Sequence, residues 1–318
     1  MNKWLKRIGY TVLVLFILLN VMSAFQAYKF THFYDNVPSA KRPEEMSAGE
    51  KFSAIFFGVK YGKKKVVDSL LVPHETITIK TEDSLKLEGW YLDSQNDDTI
   101  KPHIGTVIMF HGHGSCRSGM IKEAEAFYNL GWNVLMIDFR AHGNSEGNLC
   151  TIGFNESKDV KAAYDYIGKK KEKNIVLWGI SLGASTILKS ISDYNLKPSK
   201  IILEMPFGSL LDATEGRLRT LHLPAEPLAM LLTFWGGAEQ GFWAFDHKPW
   251  NYAGKVNCPV LLQWGINDPR VTEREINLIF KNLASHQKTL IKYIHCGHES
   301  LYKKETEKWT KTVGDFLK

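Results

Sequence analysis

Cysteine is scarce in this chain. Its 318 residues hold four, Cys116, Cys150, Cys258 and Cys296, and no two form a CxxC pair. That spacing offers no zinc ribbon and no dithiol redox motif, so metal binding is set aside. The thiols are left open between one or two disulfides, if the domain is exported, and buried free cysteines. Long charge runs of one sign are missing too. The net charge is +6, and the short clusters 63-KKK-65 and 169-KKKEK-173 read as solvated turns. No nucleic-acid motif accompanies them, and acidic residues are interspersed, which excludes a nucleic-acid partner. Long apolar runs are equally rare. The stretch 228-LAMLLTFW-235 is too short to span a membrane, which leaves one segment of sufficient length, at the N-terminal end.

That segment is 8-IGYTVLVLFILLNVMSAF-25, free of charge and preceded by Lys3, Lys6 and Arg7. Its length is close to the minimum for crossing hydrocarbon at ~1.5 Å per residue. Phe25 interrupts 24-AFQA-27 as a small-x-small cleavage site, and no lipobox-like cysteine follows. A membrane anchor, or an uncleaved signal, is therefore expected over residues 1–28, with a cleaved signal peptide as the alternative. The positive charges at its start favour an N-inside orientation, with the large domain on the extracytoplasmic side.

What the chain does have is core material and a regular pattern. Hydrophobic residues make up 44% and charged residues 23%, a globular balance. Residues 29–72 are mixed and are expected to form a stalk with covering helices. The alternating segments 75-ETITIK-80 and 85-LKLEGWYL-92 read as a hairpin. The runs 104-IGTVIMF-110, 132-WNVLMIDF-139, 174-NIVLWG-179, 200-KIILEM-205, 258-CPVLLQWG-265 and 288-KTLIKYI-294 read as strands. Helices are expected near 118–130, 154–168, 182–193, 272–284 and 299–317. This β-then-α alternation predicts an α/β domain over 73–318, with an eight-stranded, mostly parallel sheet covered by helices on both faces. The connection 206–257 is too long for a simple crossover and is rich in aromatics. It is expected to be a short helical cap over the sheet's C-terminal edge, where α/β sheets bind ligands.

Candidate chemistry gathers on that edge. Ser181 lies in 179-GISLG-183, directly after a strand and before a helix. Glycines on both sides suit a tight strand–turn–helix that pushes the hydroxyl out of the sheet. The helix behind it points free N–H groups and its positive dipole end at any anion formed there, and the Leu182 amide is one candidate oxyanion donor. A serine hydroxyl needs an imidazole to take its proton and a carboxylate to orient the imidazole. His298 in 294-IHCGHES-300 and Asp268 in 263-QWGINDPRV-271 each follow a strand, and Glu204 and Asp246 are competing acids. The loop 110-FHGHGSCRSG-119 should supply the second oxyanion donor, the His113 amide. His111 and His142 read as loop braces rather than metal ligands, and Asp138 and Arg140 as structural partners.

The pieces 110-FHGHG-114, 138-DFRAHGNSEG-147, 179-GISLG-183, 265-GINDPRV-271 and 297-GHES-300 resemble, in content and order, those of the α/β-hydrolase superfamily. The opening 82-EDSLKLEGWYL-92 and the D-x-R-x-H-G-x-S loop are similar to a branch of membrane-anchored or exported serine hydrolases, the bacterial YqkD/YfhR-like and eukaryotic ABHD12/13-like members. The resemblance implies Ser181 as nucleophile, His298 as general base, Asp268 as its orienting acid, and the His113 and Leu182 amides as oxyanion hole. It also implies a serine hydrolase that uses no cofactor and no metal. The HGHG piece departs from the HGGG form associated with tertiary-alcohol esters, so that ability is not implied. A carboxylic ester, small or lipid-like, is the expected substrate. A thioester or an aminopeptidase-type amide on the same triad is the alternative, and a catalytically silent membrane-tethered binding module is the reading from another class.

Overall fold

The structure is a computed structural model that describes residues 3–38, 40–41, 45–94 and 103–318. Eight strands form the sheet: β1 (Glu75–Lys80), β2 (Lys86–Leu92), β3 (Thr106–Phe110), β4 (Asn133–Ile137), β5 (Ile175–Ile180), β6 (Lys200–Glu204), β7 (Val260–Gly265) and β8 (Lys288–Tyr293). Their spatial order is β1-β2-β4-β3-β5-β6-β7-β8. The first hairpin and the β2–β4 pair are antiparallel, and every other pair is parallel. This is the mixed, mostly parallel sheet that the alternation of strands and helices predicts.

Burial follows position in the sheet. Every residue of β3 and β4 is buried, because helices cover both faces of these central strands. The edge strand β1 alternates exposed and buried residues, since one of its faces meets solvent. The helices are α1 (Lys3–Thr31), α2 (Ala48–Phe57), α3 (Ile121–Asn129), α4 (Ser157–Lys169), α5 (Leu182–Tyr194), α6 (Leu210–Thr220), α7 (Leu228–Gln240), α8 (Pro249–Tyr252), α9 (Glu273–Asn282), α10 (Leu301–Lys304) and α11 (Thr306–Leu317).

The direction of chain progression reverses at β3. The chain steps from β3 to β4 on one side and returns to β5 on the other, and such a switch point opens a crevice at the strand C-termini. Phe110 pairs with Gly179 there, which sets the loop after β3 against the turn after β5. Farther along the same edge, Tyr293 pairs with Gly265, so the loops after β7 and β8 emerge side by side.

Three expectations need correcting. The single helix expected over 299–317 is two, because Glu305 leaves the helical region at φ −130° and ψ 61°. Its carboxylate accepts the His295 N–H at 2.9 Å, which ties this break to the turn after β8. The helix expected from 118 opens as a 3₁₀ turn, Arg117–Met120. The stretch after the apolar segment does not stand off as a stalk. α1 continues to Thr31, Phe33 donates to the Asn148 carbonyl at 2.7 Å, and Phe33–Tyr34 pairs with Tyr61–Gly62. The 206–257 connection is helical, carrying α6, α7 and α8.

Candidate active site

The turn after β5 is built by exclusion of side chains. A Cβ on Gly183 would stand 2.2 Å from the Phe110 carbonyl oxygen, and one on Gly179 would stand 2.6 Å from the Gly183 carbonyl carbon. Only glycine lets β5, α5 and β3 approach this closely. Ser181 between them takes φ 53° and ψ −111°, a conformation that costs an L residue roughly 1–3 kcal/mol and is tolerated where its surroundings fix it. Two backbone hydrogen bonds fix it: its N–H donates to the Glu204 carbonyl at 2.8 Å, and its carbonyl accepts from Ser185 N–H at 3.0 Å.

The three residues expected to act together are brought together. Asp268 Oδ2 lies 2.7 Å from His298 Nδ1, and His298 Nε2 lies 2.9 Å from Ser181 Oγ. The Asp268 carboxylate is fully buried, and its other oxygen accepts the Arg270 and Val271 amides at 2.7 and 2.9 Å. An ionised carboxylate can only accept, so Nδ1 carries the imidazole proton and Nε2 is left to accept the serine hydroxyl. The competing acids point elsewhere. Glu204 turns its side chain into the core, where Oε1 accepts from Trp178 Nε1, Trp309 Nε1 and Gln263 Nε2 at 3.0, 2.6 and 3.2 Å. Burial pushes its carboxyl up to about 8. Asp246 is largely exposed beside Lys248.

The loop after β3 is braced by two histidines. His111 Nε2 accepts the Phe139 N–H at 3.1 Å, and His142 Nε2 accepts the Gly114 N–H at 3.1 Å while its Nδ1 donates to the Arg140 carbonyl at 2.9 Å. These nitrogens are spent on backbone groups, and burial pushes both rings' pKa values below the usual histidine range. Among the described residues no three His, Cys, Asp or Glu side chains gather as metal ligands. Leu182 is the first residue of α5, where a backbone N–H has no intrahelical partner, and the loop that carries His113 approaches Ser181 at Gly112, where an added Cβ would stand 3.6 Å from the Ser181 Cβ.

The next loop, 138–147, is held by charge. Asp138 accepts the Arg117 amide at 2.6 Å, pairs with its guanidinium, and accepts the Asn144 amide at 3.1 Å. Arg140 forks onto Asp159 at 2.9 and 2.6 Å and onto Asp83 at 2.8 and 3.1 Å. Arg117, Asp83 and Asp159 carry no sequence signal of their own. Nor do the residues around the His113 imidazole. That ring, its Nε2 buried, stacks on Phe30 at 4.6 Å and meets Phe33 and Tyr61 at 5.2 and 5.8 Å.

The Hydrolase_4 family model, described as serine aminopeptidase S33, matches residues 101–226. YqkD of Bacillus subtilis, an uncharacterized protein, is 27% identical over 224 residues, 69% of this chain and 73% of that protein. The lysophosphatidylserine lipase ABHD12 of Danio rerio is 24% identical over 196 residues, 58% of this chain and about half (48%) of that protein. The structure of the Pyrococcus furiosus esterase Pf2001 superposes with a TM-score of 0.64 at 26% identity, covering 80% of this chain and 98% of that one.

Proposed function

We propose that the chain is a hydrolase of the α/β-hydrolase superfamily and that it cleaves a carboxylic ester of acyl or lipid type through Ser181, His298 and Asp268. The observation that carries this reading is the continuous relay Asp268–His298–Ser181, at 2.7 and 2.9 Å, ending on a serine held at positive φ between two obligatory glycines. As Ser181 Oγ attacks the carbonyl carbon, its proton passes to His298 Nε2. Asp268 keeps the imidazole in the correct tautomer and stabilises the imidazolium. The carbonyl oxygen becomes an oxyanion facing the His113 and Leu182 amides at the positive end of α5. The leaving alkoxide takes the proton from His298. Water then repeats the sequence on the acyl-enzyme, releasing the acid and restoring Ser181.

The choice of ester draws support from the esterase and lipase among the relatives. A second reading, amide hydrolysis, is carried by the aminopeptidase description of the matching family. A panel of p-nitrophenyl esters, thioesters and aminoacyl anilides tests the choice: turnover of anilides in preference to esters overturns it. Failure of folded wild-type protein to react with a fluorophosphonate at Ser181 overturns the serine mechanism itself.

The location of the enzyme belongs to the same proposal. α1 is 29 residues long and is the one helix among the described residues long and apolar enough to cross a membrane. Lys3, Lys6 and Arg7 at its start favour a single-pass anchor with the catalytic domain on the extracytoplasmic face. Protease shaving of intact cells or sealed vesicles checks it: a domain protected in cells and degraded only after permeabilisation reverses the orientation.

A further inference from the structure

At ~1.5 Å per residue α1 is roughly 44 Å long, more than the ~30 Å of a hydrocarbon core. Its two halves differ accordingly. Residues 3–18 are exposed throughout, whereas Ser23, Ala27 and Thr31 are buried against the domain. The second half is pinned by polar contacts on two sides. Gln26 Nε2 donates to the Ala54 and Ile55 carbonyls of α2 at 3.1 and 2.5 Å. Trp235 Nε1 and Gln240 Nε2 of α7 donate to Asn20 Oδ1 and Thr31 Oγ1 at 3.2 and 3.4 Å.

Between these elements lies a cavity of about 320 Å³, walled by Met22, Gln26 and Phe30 of α1, Ile55 of α2, Leu218 of α6 and Leu232 of α7. That is the room of one small ligand, which suits a single chain rather than two. Small-molecule sites begin at about this size. None of Ser181, His298 and Asp268 lines it, but one end reaches the residues packed against the loop after β3 and the start of α5. Phe30 and Tyr61 line the cavity and face the His113 imidazole, and Ile152, also lining it, precedes Gly153, which backs onto Leu182. The same two helices also carry exposed apolar residues: Phe52, Phe56 and Phe57 on α2 and Met230 and Phe234 on α7. An apolar surface continuous with a membrane helix fits a lipid surface.

We propose that this cavity is the acyl-chain site, that α1 forms one of its walls as well as the anchor, and that the ligand is a single-chain acyl ester taken up directly from the bilayer. The proposal rests on the esterase reading above. A cleft roofed by a cap alone would leave the membrane helix outside the site; here the helix that meets the lipid also meets the chain.

The test uses the full chain in detergent or lipid nanodiscs, with p-nitrophenyl acetate and p-nitrophenyl decanoate as probes. Met22→Trp and Leu232→Trp fill the cavity from opposite walls. Removing room for two methylenes, at ~0.8 kcal/mol each, corresponds to roughly a fifteenfold loss. The expected result is a fall of that size in the decanoate-to-acetate ratio of kcat/KM in both variants. A ratio within twofold of wild type in both overturns the proposal. A decyl fluorophosphonate with a terminal diazirine gives a second measure. After reaction at Ser181 and irradiation, crosslinked peptides should come from residues 19–31, and crosslinks that avoid α1 overturn the proposal. Absence of any reaction at Ser181, or of turnover of both esters, overturns the esterase reading instead and takes this one with it.

Discussion

The Phe30 ring, at the inner end of α1, stacks on the His113 imidazole with centroids 4.6 Å apart and planes inclined by 21°. His113 belongs to the loop after β3, which approaches Ser181 at Gly112, so the packing of the N-terminal helix bears on the loop that carries a proposed oxyanion donor. Burial pushes the His113 pKa well below the usual range, keeping the ring neutral and able to pack on an aromatic face. An aromatic pair of this kind contributes about 0.5–1.5 kcal/mol. Phe30→Ala should therefore lower kcat for p-nitrophenyl acetate by about 2- to 13-fold with KM within twofold, and Phe30→Leu by less. The short ester keeps the acyl-chain site out of the measurement. An unchanged kcat in Phe30→Ala would separate the helix from the oxyanion loop.

Ser181→Ala should abolish ester turnover and fluorophosphonate labelling without lowering Tm, since the hydroxyl supports no structural contact beyond His298. Asp268→Asn should reduce kcat by about 10³–10⁴ in analogy with other serine hydrolases, because an amide donating to the ring favours the wrong tautomer. Glu204→Gln, the comparison at the rival acid, should leave kcat within about tenfold. A loss at Glu204 equal to that at Asp268 would reassign the acid.

Glu204 also makes a stability prediction. Burial is the first cause of its rise to about 8, and the charge of Glu123 adds to it. Between the ordinary value of 4.5 and about 8, the native carboxyl holds a proton that the unfolded chain has released. Raising pH through that window therefore favours unfolding. Wild type should lose a few kcal/mol of stability from this group between pH 5 and pH 8, and Glu204→Gln, which cannot titrate, should lose correspondingly less. Urea unfolding of both proteins across that range measures the difference. Parallel pH profiles would show that the carboxyl is ionised in the fold.

All four cysteines are free thiols, with Cys116, Cys150 and Cys296 buried and Cys258 partly so. Burial raises the Cys258 thiol to about 11, so even the accessible one is a weak nucleophile at neutral pH. Maleimide titration should find four reactive thiols after denaturation without reductant and no more than one, reacting slowly, in the native protein. Tm should be unaffected by dithiothreitol. A reductant-dependent Tm would reveal a disulfide.

Much of this protein is legible in the sequence because its signals are local. Two alternating segments and six apolar runs marked the eight strands, and alternation with helical segments implied parallel pairing. The glycines beside Ser181 announced a turn that no Cβ could enter. Placing His298 and Asp268 after strands put them on the same edge. Tertiary structure alone decided matters that depend on where side chains point. Glu204 and Asp268 both follow strands, and the sequence offered both as partners for His298. Folding directs one carboxyl down between Trp178 and Trp309 and the other across to the imidazole. Arg117 and Asp138 are 21 residues apart and meet only after β3 and β4 have paired. The N-terminal helix shows the limit most plainly. Its composition announces a membrane segment, because hydropathy is a property of each residue. That its last turns stack on the loop after β3 depends on contacts more than 80 residues distant along the chain, and no local pattern encodes a partner so remote.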